Sequence, residues 1–277
     1  MMRVLFWGFP SRRLSELAAA AGERAAPDAR RGRRGRRAAA FLLFLTALLL
    51  LLIPNQVLSV AGDGGRLLPV YEVATTEPLV AISFDASWGA EHTEELLAVL
   101  DRYEARATFF LVNLWVDAYP ELTREIALRG HELGLHSATH PHLPQLDAAG
   151  IERELRDNYA LIQQVSGYSP VLFRPPFGDY DNQVIGVAEA CGYRCVQWSV
   201  DSLDWQDLSA EAITQRVLKD IHAGDIILLH NNGRHTAAAL PLILEGLRQR
   251  GLTAVAVSDL LLSGDCYIDH NGVQRRQ

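Results

Sequence analysis

The feature that most constrains the fold is a regular alternation of short apolar segments and helical patterns between residues 79 and 257. The apolar segments are rich in β-branched and aromatic residues, and a stretch of helical periodicity follows nearly every one. Strands of this kind are typical of a parallel sheet with helices on its faces. The predicted strands are 79–84, 107–112, 132–136, 171–174, 194–200, 225–229 and 253–257. The predicted helices are 91–103, 120–129, 148–165, 182–190, 210–222 and 237–248.

Ionisable residues stand at the carboxyl ends of five of these strands. They are Asp85, His136, Arg174, Asp201 and His230. In a closed parallel barrel all strand ends converge on one face, where barrel active sites lie. An open doubly wound sheet would use only the strands beside a switch point. Five such ends therefore favour a parallel (β/α) barrel of about seven strands.

The charge of the chain is divided unevenly along its length. Residues 1–37 hold ten Arg and three acidic residues, a balance of +7. Because the whole chain carries −7, the other 240 residues carry −14. An acidic body of this kind argues against nucleic-acid binding through bulk charge.

An uncharged apolar run at 38–53 follows the basic segment. At ~1.5 Å per residue it covers about 24 Å, and it approaches the ~30 Å hydrocarbon core of a bilayer only if extended to residue 61. The positive-inside rule then places the N-terminus in the cytoplasm. We expect one N-terminal transmembrane helix, a signal-anchor at 38–61, and a single-pass protein of the cell membrane with an extracytoplasmic domain. A cleaved signal peptide, with small residues at 59–61, is the rival interpretation and predicts a secreted protein.

The remaining chain divides into three parts by composition. Residues 62–77 contain the turn-forming GDGG and are interpreted as a linker, residues 78–262 as the barrel, and residues 263–277 as a C-terminal tail. Cys191 and Cys195 flank a predicted turn, and Cys266 lies alone in the tail. A local 191–195 disulfide and a pair of small buried thiols both remain open. No Cys/His zinc spacing is present.

Five short motifs occur in a recognisable order. They are SFD at 83–85, HSATH at 136–140, RPPFG at 174–178, DSLDW at 201–205 and LLH at 228–230. In this order and spacing the chain, over about residues 78–260, resembles the polysaccharide deacetylases, the NodB-homology domain of carbohydrate esterase family 4. The resemblance implies a distorted parallel (β/α) barrel. It also implies metal-dependent removal of N-acetyl groups from sugars of cell-wall or extracellular glycans.

The resemblance assigns an acid and a base to the site. Hydrolysis of an acetamide requires an activated water and a proton for the departing amine. Asp85 would be the base, and Arg174 would pair with it and keep it ionised. His230 would be the acid, with Asp204 as its orienting partner and Asp201 as the reserve. Otherwise Asp85 would be a helix cap and Arg174 a surface residue of a rigid loop.

A metal site and a substrate groove complete the implied centre. His136 and His140 can face one divalent ion, Zn²⁺ or a similar metal, although isolated His pairs at this spacing are more often surface or capping residues. The backbone N–H of Phe177 is the expected oxyanion donor. Trp205 and Leu228 would line the groove for the sugar and its acetyl methyl, or else belong to the core.

One position departs from the family pattern. The usual second Asp, a metal ligand, is replaced by Ala86, so the Asp-His-His set is reduced to two imidazoles and metal binding should be weak. The FD-x-SWG segment resembles the sporulation-associated PdaB-type branch, which is linked to spore peptidoglycan. We expect an extracytoplasmic glycan N-deacetylase acting on peptidoglycan. The alternative is a degenerate family member that binds cell-wall glycan or a sporulation partner without turnover.

Overall fold

The structure is a computed structural model, and it describes residues 65–277. The basic segment and the predicted transmembrane helix or signal peptide at 38–61 lie outside the described residues. From residue 65 onward, no helix is long and apolar enough to cross a membrane. The N-terminal topology therefore stays a prediction.

Two sheets are present in the described residues. The strands are β1 (Glu72–Val73), β2 (Leu79–Ala86), β3 (Thr108–Leu111), β4 (Glu132–Leu135), β5 (Leu172–Phe173), β6 (Arg194–Cys195), β7 (Val200–Asp201), β8 (Ile226–His230), β9 (Thr253–Val255), β10 (Cys266–Ile268) and β11 (Val273–Arg276). The main sheet has the order β6-β5-β4-β3-β2-β8-β7, and β9 pairs with the first part of β2. Every pairing in it is parallel. The predicted parallel α/β architecture is confirmed as a half-barrel sheet flanked by helices.

The helices follow the strands as the sequence pattern predicts. They are α1 (Thr93–Arg102), α2 (Asn113–Ala118), α3 (Pro120–Leu128), α4 (Ala148–Ser166), α5 (Asn182–Ala190), α6 (Ala210–Leu218), α7 (Thr236–Gln249) and α8 (Val257–Leu260). The two short helices α2 and α8 were not predicted, because six and four residues are too few to show a helical period. Helix α8 also shortens the predicted strand 253–257, which ends at Val255.

The predicted strand 194–200 is wrong as a continuous element. Cys195 pairs with Phe173 of β5, whereas Val200 pairs with Ile227 of β8 at the other end of the sheet. Residues 196–199 therefore cross from one edge of the main sheet to the other, and we call them the crossing segment. The Gln197 N–H donates to the Val70 carbonyl, 2.7 Å away, so Val70 supports the crossing segment between the two edges.

A three-stranded sheet of order β1-β11-β10 lies in the segments interpreted as linker and tail. β1 pairs with β11 in parallel, and β10 pairs with β11 antiparallel. No strand is predicted there, because elements of two to four residues with polar composition show no alternating apolar pattern. Residues 65–277 form one compact unit, which is wider than the interval 78–262 interpreted as the barrel.

Side chains along β2 alternate between the outer face of the sheet and the interior of the barrel. Phe84 and Ala86 pack in the large apolar cluster that the helices share with the outer face of the sheet. Ala81 packs in a smaller cluster inside the barrel, with Phe110 of β3. Ser83 and Asp85 share the face of Ala81, since side chains on a strand alternate. Asp85 therefore points into the barrel at its carboxyl end.

Candidate active site

Asp85 is held at the end of β2 by a buried arginine. Arg174 Nη1 donates to Asp85 Oδ1 at 2.8 Å, and Nη2 donates to Ser83 Oγ at 2.8 Å and to the Gln197 carbonyl at 3.0 Å. Its guanidinium carbon lies 4.2 Å from the centre of the Phe110 ring. Arg174 is fully buried and Asp85 is 7% exposed. The predicted pair is thus brought together, and Arg174 is not a surface residue of its loop.

The charge around Asp85 keeps it ionised. Burial alone would raise its pKa, but the positive charge of Arg174, followed by the interactions with the imidazoles of His136 and His230, outweighs this and lowers the pKa below its usual value. Arg174 remains protonated at neutral pH because a guanidinium does not lose its proton in this range. Asp85 is therefore a carboxylate with one oxygen bound to Arg174.

His136 and His140 lie side by side near Asp85. His136 Nδ1 lies 2.7 Å from the Arg174 carbonyl oxygen, which can only accept, so Nδ1 carries the proton and Nε2 is free to bind a ligand. That Nε2 is 3.6 Å from Asp85 Oδ2. The centres of the two imidazole rings are 5.0 Å apart. Burial lowers the pKa of both rings, to about 4 for His140, so both are neutral near pH 7.

The local backbone explains this placement. Ser137 and His140 have positive φ angles of 72° and 57°, which turn the chain sharply after β4. The His140 N–H donates to Ser137 Oγ at 3.0 Å and stabilises the turn. The His136 N–H donates to the buried Asn158 Oδ1 at 2.9 Å, which fixes the end of β4 against α4.

The side chains near Asp85 fit a divalent ion only in part. Two neutral imidazoles, one with its second nitrogen bound to a carbonyl, are the kind of ligands that Zn²⁺ accepts. However, Asp85, His136 and His140 do not bring three ligand atoms within 4.8 Å of one another. Ala86 is fully buried in the outer apolar cluster and supplies no ligand. The residues fit a two-imidazole site, which binds more weakly than one that includes a carboxylate.

His230 lies at the end of β8 and is paired with a buried carboxylate. His230 Nδ1 is 2.7 Å from Asp204 Oδ1, and the His230 N–H donates to Asp204 Oδ2 at 2.7 Å. Thr236 Oγ1 also donates to Oδ2, at 2.7 Å. Burial would lower the pKa of His230, but the hydrogen bond and charge of Asp204 outweigh this and raise it. Asp201 makes no hydrogen bond to His230 and accepts the Leu203 N–H instead, so Asp204 is the partner.

The remaining predicted residues surround one cavity of about 500 Å³. Phe177 and Trp205 lie at its rim with 57% and 58% of their surface exposed, and Leu228 is a buried part of its wall. Phe177 has a φ of 60°, and its N–H makes no hydrogen bond within the described chain. This N–H is therefore available to an oxyanion, which is the role that the family resemblance implies for it.

Four aromatic or polar residues of the cavity were not predicted from the sequence: Ser87, Trp88, Trp198 and Asn232. Trp88, 56% exposed, packs edge-on against His140 with ring centres 5.1 Å apart. Trp198 enters from the crossing segment, and Asn232 follows β8. Trp88 belongs to the FD-x-SWG segment, whose pattern indicates a branch of the family but does not place Trp88 at the cavity. Trp198 lies within the predicted strand 194–200, and a continuous strand there gives no indication that its side chain reaches the cavity.

A barrel end that combines a carboxylate, a carboxylate-bound imidazole and two neutral imidazoles defines a hydrolase site. Comparison with known proteins identifies the family of this hydrolase site. Residues 72–196 match the family profile described as polysaccharide deacetylase. A peptidoglycan-N-acetylglucosamine deacetylase of Bacillus cereus is 35% identical over 196 residues, covering 69% of this chain and 92% of the relative. The uncharacterized protein YlxY of Bacillus subtilis is 34% identical, covering 70% of this chain but only 60% of its own length.

Solved structures agree with the family assignment. The Bc1960 peptidoglycan N-acetylglucosamine deacetylase matches with a TM-score of 0.68 and 28% identity, covering 70% of this chain and 93% of that one. A family 4 pseudoenzyme of Bacillus anthracis, BA3943, matches with a TM-score of 0.67 and 28% identity over 69% of this chain and 68% of that one. A mutant of that pseudoenzyme with restored enzymatic activity matches equally well.

The chain therefore belongs to the polysaccharide deacetylase family, carbohydrate esterase family 4. This is a family of hydrolases that act on carbon–nitrogen bonds other than peptide bonds, and its deacetylases use a divalent metal ion. The resemblance to the PdaB-type branch stays a prediction.

Proposed function

We propose that the chain is an extracytoplasmic N-deacetylase acting on peptidoglycan, with Asp85 as base and His230 as acid. The observation that carries this is the register of two neighbouring strands. Asp85 of β2 and His230 of β8 are direct partners in the parallel ladder, and both line the cavity. Their environments push their pKa values in opposite directions, which keeps one ionised and the other protonated.

This arrangement supplies each proton transfer of amide hydrolysis. The Asp85 carboxylate takes a proton from water, and the water oxygen attacks the acetamide carbonyl carbon. The Phe177 N–H donates to the oxyanion that forms. His230 then gives its proton to the amine nitrogen, the C–N bond breaks, and acetate and a free amino sugar result. Asp204 stabilises the imidazolium before this transfer.

His136 and His140 are the residues that would hold a divalent ion. Such an ion polarises a carbonyl and lowers the pKa of a bound water. With Ala86 in place of a carboxylate, the ion would depend on two imidazoles and on solvent or substrate for its other ligands.

The substrate and location rest on independent support. Exposed aromatic side chains at a cavity rim, Trp88, Phe177 and Trp205, suit the apolar faces of sugar rings. Several relatives bear the name peptidoglycan deacetylase. The basic segment followed by the apolar run at 38–61 supports an anchored, extracytoplasmic domain at the cell membrane. The FD-x-SWG segment supports a role at the spore wall.

A second candidate, a protein that binds cell-wall glycan or a sporulation partner without turnover, is favoured by Ala86 and the incomplete ligand set. Acetate release from N-acetylated peptidoglycan by the purified full-length chain separates the two, measured with and without added Zn²⁺. The deacetylase predicts release that Asp85→Asn abolishes. Glycan binding without acetate release, in the parent and in the presence of metal, would favour the binding protein and overturn the enzyme.

A further inference from the structure

A second group of potential metal ligands lies away from the catalytic cavity. Glu72 of β1, His222 and Asp225 each offer one ligand atom, and these atoms lie within 4.8 Å of one another. Asp225 directly precedes β8, whose opposite end carries His230. None of the three lines the catalytic cavity. The group therefore belongs to the amino-terminal end of the barrel.

The backbone brings these residues together by a close approach of two segments. Glu72 forms an antiparallel bridge with Asp225, and the Val73 N–H donates to the Gly224 carbonyl at 2.9 Å. Gly224 has a φ of 98°, and a Cβ there would lie 1.9 Å from the Val73 carbonyl oxygen. Only glycine permits this approach, which sets the Glu72 and Asp225 carboxylates beside each other.

In the described residues, His222 is the only cationic side chain paired directly with either carboxylate. Neither forms a salt bridge with an Arg or Lys, and the nearby Arg275 is bound to Asp269 at 2.7 Å. Two carboxylates at this separation repel each other, and a cation between them would remove that cost.

Asp225 is oriented as buried metal ligands are. Its Oδ1 accepts from Ser199 Oγ at 2.6 Å, and its Oδ2 accepts the His222 N–H at 2.7 Å. His222 Nδ1 is 3.3 Å from the same Oδ2, and also 3.3 Å from the Ala223 carbonyl. Two ligands bound at ~2.1 Å in tetrahedral geometry lie about 3.4 Å apart. Because a carbonyl can only accept, His222 Nδ1 carries the ring proton in the metal-free protein, and this proton must leave Nδ1 before an ion binds there. The Nδ1–Oδ2 separation is then suitable for two ligands on one Zn²⁺.

We propose that Glu72, His222 and Asp225 form a structural binding site for a divalent first-row cation, Zn²⁺ in particular. Carboxylate and imidazole ligands suit such an ion, and the exposed His222 leaves room for water as the fourth ligand. The ion connects β1 of the small sheet to the start of β8 in the main sheet. The site is separate from His136 and His140, and it does not depend on the proposed function.

The test uses the full chain with His136→Ala and His140→Ala, which removes the two imidazoles that would hold an ion in the catalytic cavity. Equilibrium dialysis against Zn²⁺ should still find one bound equivalent, and Zn²⁺ should raise the melting temperature. Adding Glu72→Gln or His222→Asn should weaken binding by about tenfold or more and abolish the melting shift. Glu77→Gln and His270→Asn, at exposed positions outside the proposed site, should change neither.

The Glu72→Gln and His222→Asn variants should both fold, because neither residue is fully buried. Circular dichroism verifies the fold of each variant. Absence of bound Zn²⁺ in the His136→Ala, His140→Ala background would overturn the site. Equal Zn²⁺ affinity with and without Glu72→Gln and His222→Asn would do the same. Loss of stability in His222→Asn without any Zn²⁺ effect would identify an ion pair only, and would also overturn it.

Discussion

Replacing Asp204 by Asn should disable His230 without changing the shape of the site. Asp204 is 1% exposed, and its two oxygens accept three hydrogen bonds, two from His230 and one from Thr236. An Asn side chain must turn its NH₂ group toward at least one of these donors. In the orientation that preserves two of the three bonds, the NH₂ faces His230 Nδ1, which must then give up its proton.

The magnitude follows from the bond that is lost. A hydrogen bond to a charged group contributes about 1.5–3 kcal/mol, which corresponds to about 10- to 150-fold in rate if the loss is felt in the transition state. Without the carboxylate, burial becomes the dominant effect on His230, and its pKa should fall below the usual value. The imidazole would then be neutral at pH 7 and a poor acid.

Two measurements check this reasoning. Acetate release from N-acetylated peptidoglycan gives kcat for the parent, Asp204→Asn, His230→Ala and the double variant. Because the two residues act as a unit, the double variant should be little slower than His230→Ala. NMR titration of the His230 ring gives its pKa and needs no turnover. Asp201→Asn is the matched control, since Asp201 lines the cavity without a hydrogen bond to His230.

The His230–Asp204 pair should also make the free energy of unfolding depend on pH. A His whose pKa is raised by folding contributes stability that is present below its unfolded pKa, ~6.5, and is lost as pH rises through the folded pKa. Urea unfolding of the parent should show that loss on the alkaline side, and Asp204→Asn should remove it. Fully additive rate losses, or an Asp201→Asn variant that reproduces the effects of Asp204→Asn, would refute the assignment.

Three further predictions concern the base, the missing ligand and the topology. Asp85→Asn should remove most of the acetate release, and because the Asp85 pKa is lowered, the parent rate should not fall between pH 7 and 5; a decline with a midpoint in that interval would contradict the pairing with Arg174. Ala86→Asp should destabilise the metal-free protein by about 1–3 kcal/mol, because the side chain at 86 lies in the outer apolar cluster. We expect Zn²⁺ to draw the new carboxylate round the end of β2 toward His136 and His140, which should tighten Zn²⁺ binding by about tenfold or more. Equal melting losses in chelator and in Zn²⁺ would place the new carboxylate away from the ion. A reporter fused after residue 277 should be active only outside the cytoplasm, and cytoplasmic activity would exclude the envelope location.

The catalytic end of the barrel could be predicted because it depends on strong, local signals. Asp85, His136 and His230 follow long or strongly apolar strands, and parallel strands bring their carboxyl ends to one face. The family resemblance also named Arg174 as the partner of Asp85 and Asp204 as that of His230, and the structure places both pairs in contact. Asp204 rather than Asp201 binds His230, because a left-handed turn at Leu203 (φ 53°) redirects the chain between them.

The parts that were missed depend on contacts between distant residues. The crossing segment shows the β-branched and aromatic composition of a strand, yet its neighbours are Val70 and β8 rather than a continued ladder with β5. The sheet β1-β11-β10 joins strands too short to carry a period. Cys191 and Cys195 were left open between a disulfide and buried thiols. Both are free, Cys195 buried and Cys191 exposed, so neither alternative describes the pair fully.

The parallel pairing of β1 with β11 also determines the order in which the chain can fold. Glu72 is the register partner of Val273, and Val70 in turn supports Gln197 in the crossing segment. Pairing of residues so far apart in sequence carries a large loop-closure entropy and slows folding. Because β1 is synthesised long before β11, the edge of β1 stays unpaired until residues 273–276 have left the ribosome. The small sheet, which adjoins the Val70 contact with the crossing segment and Trp198, is therefore completed late in folding.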